Sequence, residues 1–279
     1  MQELKIKAAD GFELAAELRR PPAGQENGRL LLIACATGVK KTFYRPIADF
    51  FAARGWVVLT WDWRGIGGSK PEQLHGFEGG MADWGQKDLP GVESWAKKEF
   101  PDHRKAALGH SFGGQSLGFS GAASPFEAAV AVASQNGWWG HWPAPRKYVY
   151  AAMWNLWIPA WTYLLGRYPA KMLGGGEDLP KNVALDWARW CSHPDYFGRD
   201  TRHEEFEAPI LAYGFEDDTY APQKAIEALL ARYGSPSKEL RFLSPKQASL
   251  PAIGHWGFFR PAAVKLWEEA AGWLEAKLA

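Results

Sequence analysis

Short apolar segments alternate with helical patterns along most of the chain. Continuous apolar runs are typical of strands that are buried on both faces of a sheet. They lie at residues 30–36, 56–61, 105–108, 128–133 and 210–213, and residues 239–243 predict a further strand. Strands that alternate with helices at this spacing predict an α/β fold with a mostly parallel sheet and helices on both faces.

The chain begins with a different pattern. Residues 4–7 and 12–19 alternate between apolar and polar positions, and Asp10-Gly11 separates them. This predicts an antiparallel hairpin at one edge of the sheet, which brings the predicted sheet to eight strands. Helices are predicted at residues 42–54, 83–100, 112–121, 223–233 and 262–278. Pro90-Gly91 is placed to kink or split the second of these helices.

The alternation of strands and helices stops between residues 137 and 206. We therefore predict a core of residues 1–136 and 207–279 that is interrupted by a helical insertion, residues 137–206. Half of the 16 tryptophans of the chain fall in this insertion: Trp138, Trp139, Trp142, Trp154, Trp157, Trp161, Trp187 and Trp190.

The tryptophans of the insertion have two interpretations. Trp154, Trp157 and Trp161 follow the spacing of one helix face. Aromatic stripes usually pack against a core, and the alternative is an apolar wall around an acyl or aromatic group of a substrate. On the second interpretation the candidate substrate contacts are Trp138, Trp154 and, outside the insertion, Trp256.

Charge and hydropathy restrict the partners. The chain has 32 Lys and Arg against 31 Asp and Glu, so its net charge is +1, which favours neither nucleic acid nor an anionic membrane. Residues 149–165 carry no charge, but Asn155 and Pro159 interrupt this stretch, so we expect no stable membrane insertion. The expected partner is a small-molecule substrate, and a homodimer is the commonest form of self-association.

Neither a metal nor a cofactor is expected. Cys35 and Cys191 are too few for a disulfide framework and too far apart for a metal or redox pair, and Cys191 with His193 is too sparse for a zinc site. No glycine pattern of a nucleotide-binding loop follows a strand. The first residues lack the apolar core of a signal peptide, which favours a cytoplasmic location.

A strained turn is predicted where a strand meets a helix. Gly109-His110-Ser111-Phe112-Gly113 fits the pattern G-x-S-x-G between a predicted strand and a predicted helix, which is the context that the pattern requires. Glycines on either side permit a sharp turn that presents the Ser111 hydroxyl above the sheet edge. The turn also places the Phe112 N–H at a helix start, where it can face a developing oxyanion.

A serine hydroxyl needs a base and an orienting acid to act as a nucleophile. Among the histidines after Ser111, His255 lies in a loop between the last strand and the last helix, where a general base is expected. The acid is expected in the loop after residues 210–213, where Asp217 and Asp218 are adjacent alternatives.

Four motifs in order resemble the α/β-hydrolase superfamily. They are Asp62-Trp63-Arg64-Gly65-Ile66-Gly67-Gly68-Ser69, the Gly-His-Ser-Phe-Gly-Gly turn, Gly214-Phe215-Glu216-Asp217-Asp218, and Gly254-His255-Trp256-Gly257-Phe258-Phe259. The resemblance covers roughly residues 1–135 and 207–279, and is greatest to the lysophospholipase-like and serine-aminopeptidase-like branch.

The resemblance implies an α/β-hydrolase fold in which the insertion is a lid. It favours Asp218 over Asp217 as the acid, because its spacing to Pro222 is similar to the D-x-x-x-P pattern of the family. It also implies an oxyanion hole made by the N–H of Phe112 and that of Val39, or else of Gly38. The loop that begins at Asp62 is expected to be structural rather than catalytic.

These residues predict a serine hydrolase, most simply a carboxylesterase or lipase-like enzyme. Ser111 would attack an ester, thioester or amide carbonyl, and water would release the acyl enzyme. An acyltransferase with the same acyl-serine, a peptidase and a non-catalytic binding protein with this fold stay open as alternatives.

Overall fold

The central sheet has eight strands, as the sequence predicts. The computed structural model describes residues 1–74, 76–173, 176–198 and 201–279. The strands are β1 Gln2–Lys7, β2 Glu13–Arg19, β3 Arg29–Ala34, β4 Val57–Trp61, β5 Arg104–His110, β6 Ala128–Val132, β7 Ile210–Phe215 and β8 Lys238–Leu243. Their order in the sheet is β1-β2-β4-β3-β5-β6-β7-β8. The pairs of β2 with β1 and β4 are antiparallel and all the others are parallel, so the hairpin lies at one edge.

The five helices that the sequence predicts outside residues 137–206 are present with shorter bounds, and residues 137–206 contain three more. They are α1 Arg45–Ala53, α2 Leu89–Glu99, α3 Phe112–Ser116, α4 Arg146–Ala152, α5 Ile158–Leu165, α6 Lys181–Cys191, α7 Gln223–Leu230 and α8 Val264–Lys277. A helical turn at Met81–Asp83 and a π-helical turn at Trp84–Asp88 precede α2. Pro90 lies in the first turn of α2, so the irregular hydrogen bonding occurs where a main-chain donor is missing.

The helix after the Ser111 turn is shorter than the sequence predicts. It ends as an α-helix at Ser116 and continues in two 3-10 turns, Leu117–Phe119 and Gly121–Ala123. The ring of His203 lies directly against Gly118, where a Cβ atom would clash with it. Gly121 has a φ of +53°, which ends a right-handed helix.

The loop that begins at Asp62 is structural, as expected. The buried Asp62 carboxylate accepts the N–H groups of Lys41 at 2.6 Å and Gly68 at 2.9 Å, and it pairs with Lys41 Nζ at 2.8 Å. Arg64 pairs with Asp88 at 2.6 Å and with Asp10 at 2.7 Å. These bonds fix the loop from both sides.

Residues 137–206, the predicted insertion, follow β6 and contain α4, α5 and α6. A π-helical turn at Met153–Trp157 joins α4 to α5. Trp154 is 5% exposed, whereas Trp157 is 60% and Trp161 is 38% exposed, so the predicted single face of these three residues is wrong. The π-helical turn changes the number of residues per turn, and it therefore rotates Trp157 and Trp161 away from the face of Trp154.

His203 fastens the end of the insertion to the core. Its buried ring stacks on Phe197 with centroids 4.9 Å apart, and Nε2–H donates to the Gln115 carbonyl at 2.8 Å. Burial lowers the pKa of this histidine from about 6.5 to about 3. The folded state therefore binds this proton less readily than the unfolded chain, and stability is lost as the pH falls below 6.5.

We expect His203→Gln to remove this dependence on pH. The wild-type free energy of unfolding, relative to that of the variant, should fall by about 1.4 kcal/mol for each pH unit below 6.5 until the pH nears 3. Urea unfolding at pH 8, 6 and 5 measures the difference. His193→Gln, at a ring with 66% of its side chain exposed, serves as the control. If the free energy of unfolding depended on pH in the same way for wild type and His203→Gln, His203 would not be the source of the pH dependence.

Candidate active site

Ser111 lies at the tight turn between β5 and α3. Its φ of 51° and ψ of −114° are a conformation that residues with a side chain rarely adopt. A Cβ atom at Gly109 would clash with the Gly114 main chain, and one at Gly113 would clash with the Ala34 carbonyl. Glycine at both positions lets the turn pack closely against the sheet, and the predicted backbone geometry is present.

The adjacent aspartates have separate contacts. Asp218 Oδ2 accepts a hydrogen bond from His255 Nδ1 at 2.8 Å, and both side chains are buried. Asp218 Oδ1 accepts the N–H groups of Tyr220 at 2.7 Å and Ala221 at 3.1 Å, which hold the carboxylate in place. Asp217 Oδ2 instead accepts the N–H of Ile253 at 2.8 Å. The structure therefore brings Asp218 to His255 and uses Asp217 to brace the histidine loop.

A cavity of about 310 Å³ contains both Ser111 and His255 in its wall. No hydrogen bond joins Ser111 Oγ to the His255 ring among the residues described, a contact that often tightens only when substrate binds. The aromatic side chains in the wall are Trp142, Tyr150, Trp154, Tyr168, Trp187, Tyr220 and Trp256. Five of these seven come from residues 137–206, so this segment supplies most of the aromatic wall, whereas Ser111 and His255 come from outside it.

The main chain beside Ser111 requires one correction. The Val39 N–H donates to the Ala36 carbonyl at 3.1 Å and closes a turn, so it does not serve as the predicted oxyanion donor. Thr37 and Gly38 line the cavity, and in the described parts of the chain no hydrogen bond engages the N–H of either. The N–H of Phe112 is in the first turn of α3, where helical N–H groups have no intrahelical partner.

Two of the three predicted substrate contacts lie in the cavity wall. Trp154 and Trp256 line it, whereas Trp138 lies outside and packs on Trp139 and His141. Trp142 lines the cavity in its place, with its indole N–H bonded to the Thr219 carbonyl at 2.9 Å. The sequence offers no signal that separates these tryptophans, because they are close neighbours in an irregular segment.

A buried series of hydrogen bonds behind the cavity is not predicted by the sequence. His110 Nε2 is 2.9 Å from the His255 carbonyl, which only accepts, so Nε2 carries the proton. His110 Nδ1 then accepts from Tyr44 Oη at 2.8 Å, and Tyr44 Oη accepts the Ala36 N–H at 2.8 Å. Burial lowers the pKa of the His110 ring well below its usual range, which keeps the ring neutral. This series of hydrogen bonds links the main chain at Ala36 to the main chain at His255.

We expect Tyr44→Phe to destabilise the fold by about 1–3 kcal/mol, because the Ala36 N–H and His110 Nδ1 both lose their buried partner. Urea denaturation monitored by tryptophan fluorescence measures the change. Tyr148→Phe, at a side chain that is 62% exposed, is the matched control and should change stability by less than about 0.5 kcal/mol. Equal stabilities of the two variants would show that the hydrogen bonds of Tyr44 do not contribute to the stability of the fold.

The sequence matches the model of the Alpha/beta hydrolase family over residues 30–265. The chain belongs to this family. A comparison with curated protein sequences gives no match.

Solved structures with the alpha/beta hydrolase fold superpose over the whole chain. An esterase of Pyrococcus furiosus is 15% identical, with a TM-score of 0.66, and covers 100% of this chain and 91% of its own. Est1E from Butyrivibrio proteoclasticus with ferulic acid bound is 16% identical, with a TM-score of 0.62, and covers 99% of both chains. Alpha/beta hydrolase domain-containing protein 10 from mouse is 13% identical, with a TM-score of 0.61, and covers 100% of both. At these identities the likeness shows the fold alone.

The described parts of this alpha/beta hydrolase contain neither a metal-binding group of side chains nor a membrane-spanning helix. Within residues 1–74, 76–173, 176–198 and 201–279, no three His, Cys, Asp or Glu side chains group to hold a metal ion. Over the same ranges no helix has the length and apolar character needed to cross a bilayer. Cys35 and Cys191 are both buried, and each is a free thiol.

Proposed function

We propose that this alpha/beta hydrolase is a serine esterase that works through an acyl-Ser111 intermediate. The observation that carries the proposal is one cavity whose wall contains Ser111 on its strained turn together with His255, whose Nδ1 is 2.8 Å from buried Asp218. A nucleophile, a base and an orienting acid are the three groups that acyl transfer requires.

In the proposed first step His255 Nε2 takes the Ser111 proton while Oγ attacks the ester carbonyl. The His255 Nδ1–H donates to Asp218, which fixes the tautomer and stabilises the imidazolium. The oxyanion accepts the N–H of Phe112 together with that of Gly38 or Thr37, since the Val39 N–H is bonded to Ala36. His255 then protonates the leaving alcohol, and water releases the acid by the same steps in reverse.

The proposed substrate is a small ester whose acyl group is apolar or aromatic. The size of the cavity, about 310 Å³, is at the lower end for small-molecule sites. Its wall carries seven tryptophan and tyrosine rings, which suit a planar apolar group. The Pyrococcus esterase supports ester cleavage, and Est1E with ferulic acid bound supports an aromatic acyl group.

We further propose that residues 137–206 act as a lid on a core formed by residues 1–136 and 207–279. The Glu177 N–H donates to the Gly38 carbonyl at 2.7 Å, directly beside the proposed oxyanion site. The Glu177 carboxylate pairs with Lys40 and Lys70 of the core, each at 3.1 Å. These contacts join the insertion to the rim of the cavity.

A fluorophosphonate probe should add to Ser111 alone, and intact-protein mass with peptide mapping locates the adduct. The wild type should also hydrolyse p-nitrophenyl esters, with a peak of kcat/KM at one acyl length set by the cavity. Ser111→Ala should fold, remain unlabelled and lose turnover, because the proposed acyl intermediate forms on the Ser111 hydroxyl. A folded wild type that is neither labelled nor active would favour a binding protein.

Substitution of each aspartate tests which of them orients the base. We expect Asp218→Asn to lower kcat by about 10³–10⁴-fold, since an amide holds His255 in the wrong tautomer. Asp217→Asn is the matched control, because an amide oxygen still accepts the Ile253 N–H. Steady-state kinetics on one p-nitrophenyl ester measures both, with circular dichroism as the check of folding. A larger loss in Asp217→Asn would reverse the assignment.

A further inference from the structure

Exposed apolar side chains are concentrated in one part of residues 137–206. Thirteen large apolar side chains are exposed in the described parts of the chain, and nine of them lie between residues 148 and 172. These nine, the apolar patch, are Tyr148, Val149, Leu156, Trp157, Trp161, Tyr163, Leu164, Leu165 and Met172. Single exposed apolar residues are common on folded proteins, whereas a concentrated group marks a surface that another molecule covers.

The helical stretch of residues 146–165 has two apolar sides. It runs from α4 through the π-helical turn into α5. Its inner side lines the cavity with Tyr150, Met153, Trp154 and Ile158. Its outer side carries Leu156 and Leu164, which are 69% and 74% exposed. Asn155 interrupts the apolar sequence, but its side-chain amide turns to the helix and donates to the Ala151 carbonyl at 2.8 Å.

The charge around the apolar patch is positive, although the charge of the whole chain is nearly balanced. No Asp or Glu occurs between Glu127 and Glu177, and this interval contains Arg146, Lys147, Arg167 and Lys171. Arg167 pairs with Asp178 at 3.0 Å. Among the described side chains, no carboxylate pairs with the other three cations. The partner of this surface is therefore expected to carry negative charge.

Two ammonium groups lie over aromatic rings of the apolar patch. Lys147 Nζ is 5.1 Å from the centroid of the Tyr148 ring, and Lys181 Nζ is 5.2 Å from that of the Tyr163 ring. An apolar centre with cations at its edge matches an anionic lipid surface, where acyl chains lie beneath the phosphate headgroups. A second copy of the chain fits less well, because a two-fold interface pairs the patch with itself and brings its cations together.

We propose that the apolar patch docks on an anionic lipid surface. Leu156 and Leu164 enter the boundary between headgroups and acyl chains, and Lys147 and Lys171 contact the phosphates. The stretch lies in the plane of the surface and does not cross the bilayer. Because its inner side lines the cavity, docking holds the cavity within one helix diameter, about 10 Å, of the lipid. This inference goes beyond the proposed esterase function and does not depend on it.

Co-sedimentation of the full chain with unilamellar vesicles tests the docking. The wild type should bind vesicles of phosphatidylcholine with about one third phosphatidylglycerol at least tenfold more strongly than vesicles of phosphatidylcholine alone. High salt should weaken the binding to the anionic vesicles, because it screens the attraction between lysine and phosphate.

Two double variants separate the apolar and the charged contributions. Leu156→Ser with Leu164→Ser should lower binding to the anionic vesicles by at least tenfold, because less apolar surface is buried. Lys147→Gln with Lys171→Gln should lower it by about 20-fold, since each basic residue near an anionic surface contributes about fivefold. The lysine variant should bind vesicles of phosphatidylcholine alone as the wild type does. Circular dichroism checks that both variants fold.

Val264→Ser with Lys265→Gln is the matched control, because it changes an exposed apolar residue and an exposed lysine of α8, outside the apolar patch. It should bind the anionic vesicles as the wild type does. A wild type that binds no vesicles, equal binding to both kinds of vesicle, or an equal loss in the control and the patch variants would overturn the inference.

Sedimentation velocity without vesicles tests the other occupant. A wild-type dimer that Leu156→Ser with Leu164→Ser separates, in a chain that leaves vesicles unbound, would assign the patch to a second copy and overturn the inference. Fluorophosphonate labelling of Ser111 in the same samples distinguishes the two proposals. A labelled chain that binds no vesicles leaves the esterase proposal intact, and an unlabelled chain that binds them leaves the docking intact.

Discussion

The left-handed backbone at Ser111 is the constraint on which the site depends. It persists because Gly109 and Gly113 allow α3 to pack against β5 and β3 more closely than any side chain would permit. Strain of this kind survives only where the surroundings over-determine the conformation. The same turn sets the direction of the Ser111 hydroxyl and of the Phe112 N–H, so two groups of the proposed reaction are placed by one packing contact.

The loop that carries His255 is held from behind by the residue that precedes Ser111. A neutral, buried His110 donates to the His255 carbonyl and accepts from Tyr44, while Asp218 fixes the His255 ring itself. Burial, with a smaller contribution from the nearby His255, lowers the pKa of His110 and keeps its ring uncharged, and a charged ring could not accept the Tyr44 proton. The position of the proposed base thus depends on hydrogen bonds between four segments that are far apart in the chain.

Residues 137–206 and the rest of the chain contribute different parts of the cavity wall. Ser111 and His255 come from outside this segment, which supplies most of the tryptophan and tyrosine rings. Under the proposed function, substrate preference can therefore change through residues 137–206 while the proposed reacting groups stay in place, which is how one fold serves many substrates.

The sequence alone determined the order of strands and helices, the hairpin edge and the turn at Ser111, because buried strands and obligatory glycines leave a local pattern. It also reduced the candidates for the acid that orients His255 to Asp217 and Asp218. Only the tertiary structure decided that Asp218 reaches His255, that the Val39 N–H is engaged within a turn, and that a π-helical turn separates Trp154 from Trp157. Main-chain pairing and the walls of a cavity arise from contacts between distant segments, and such contacts leave no periodic trace in the sequence.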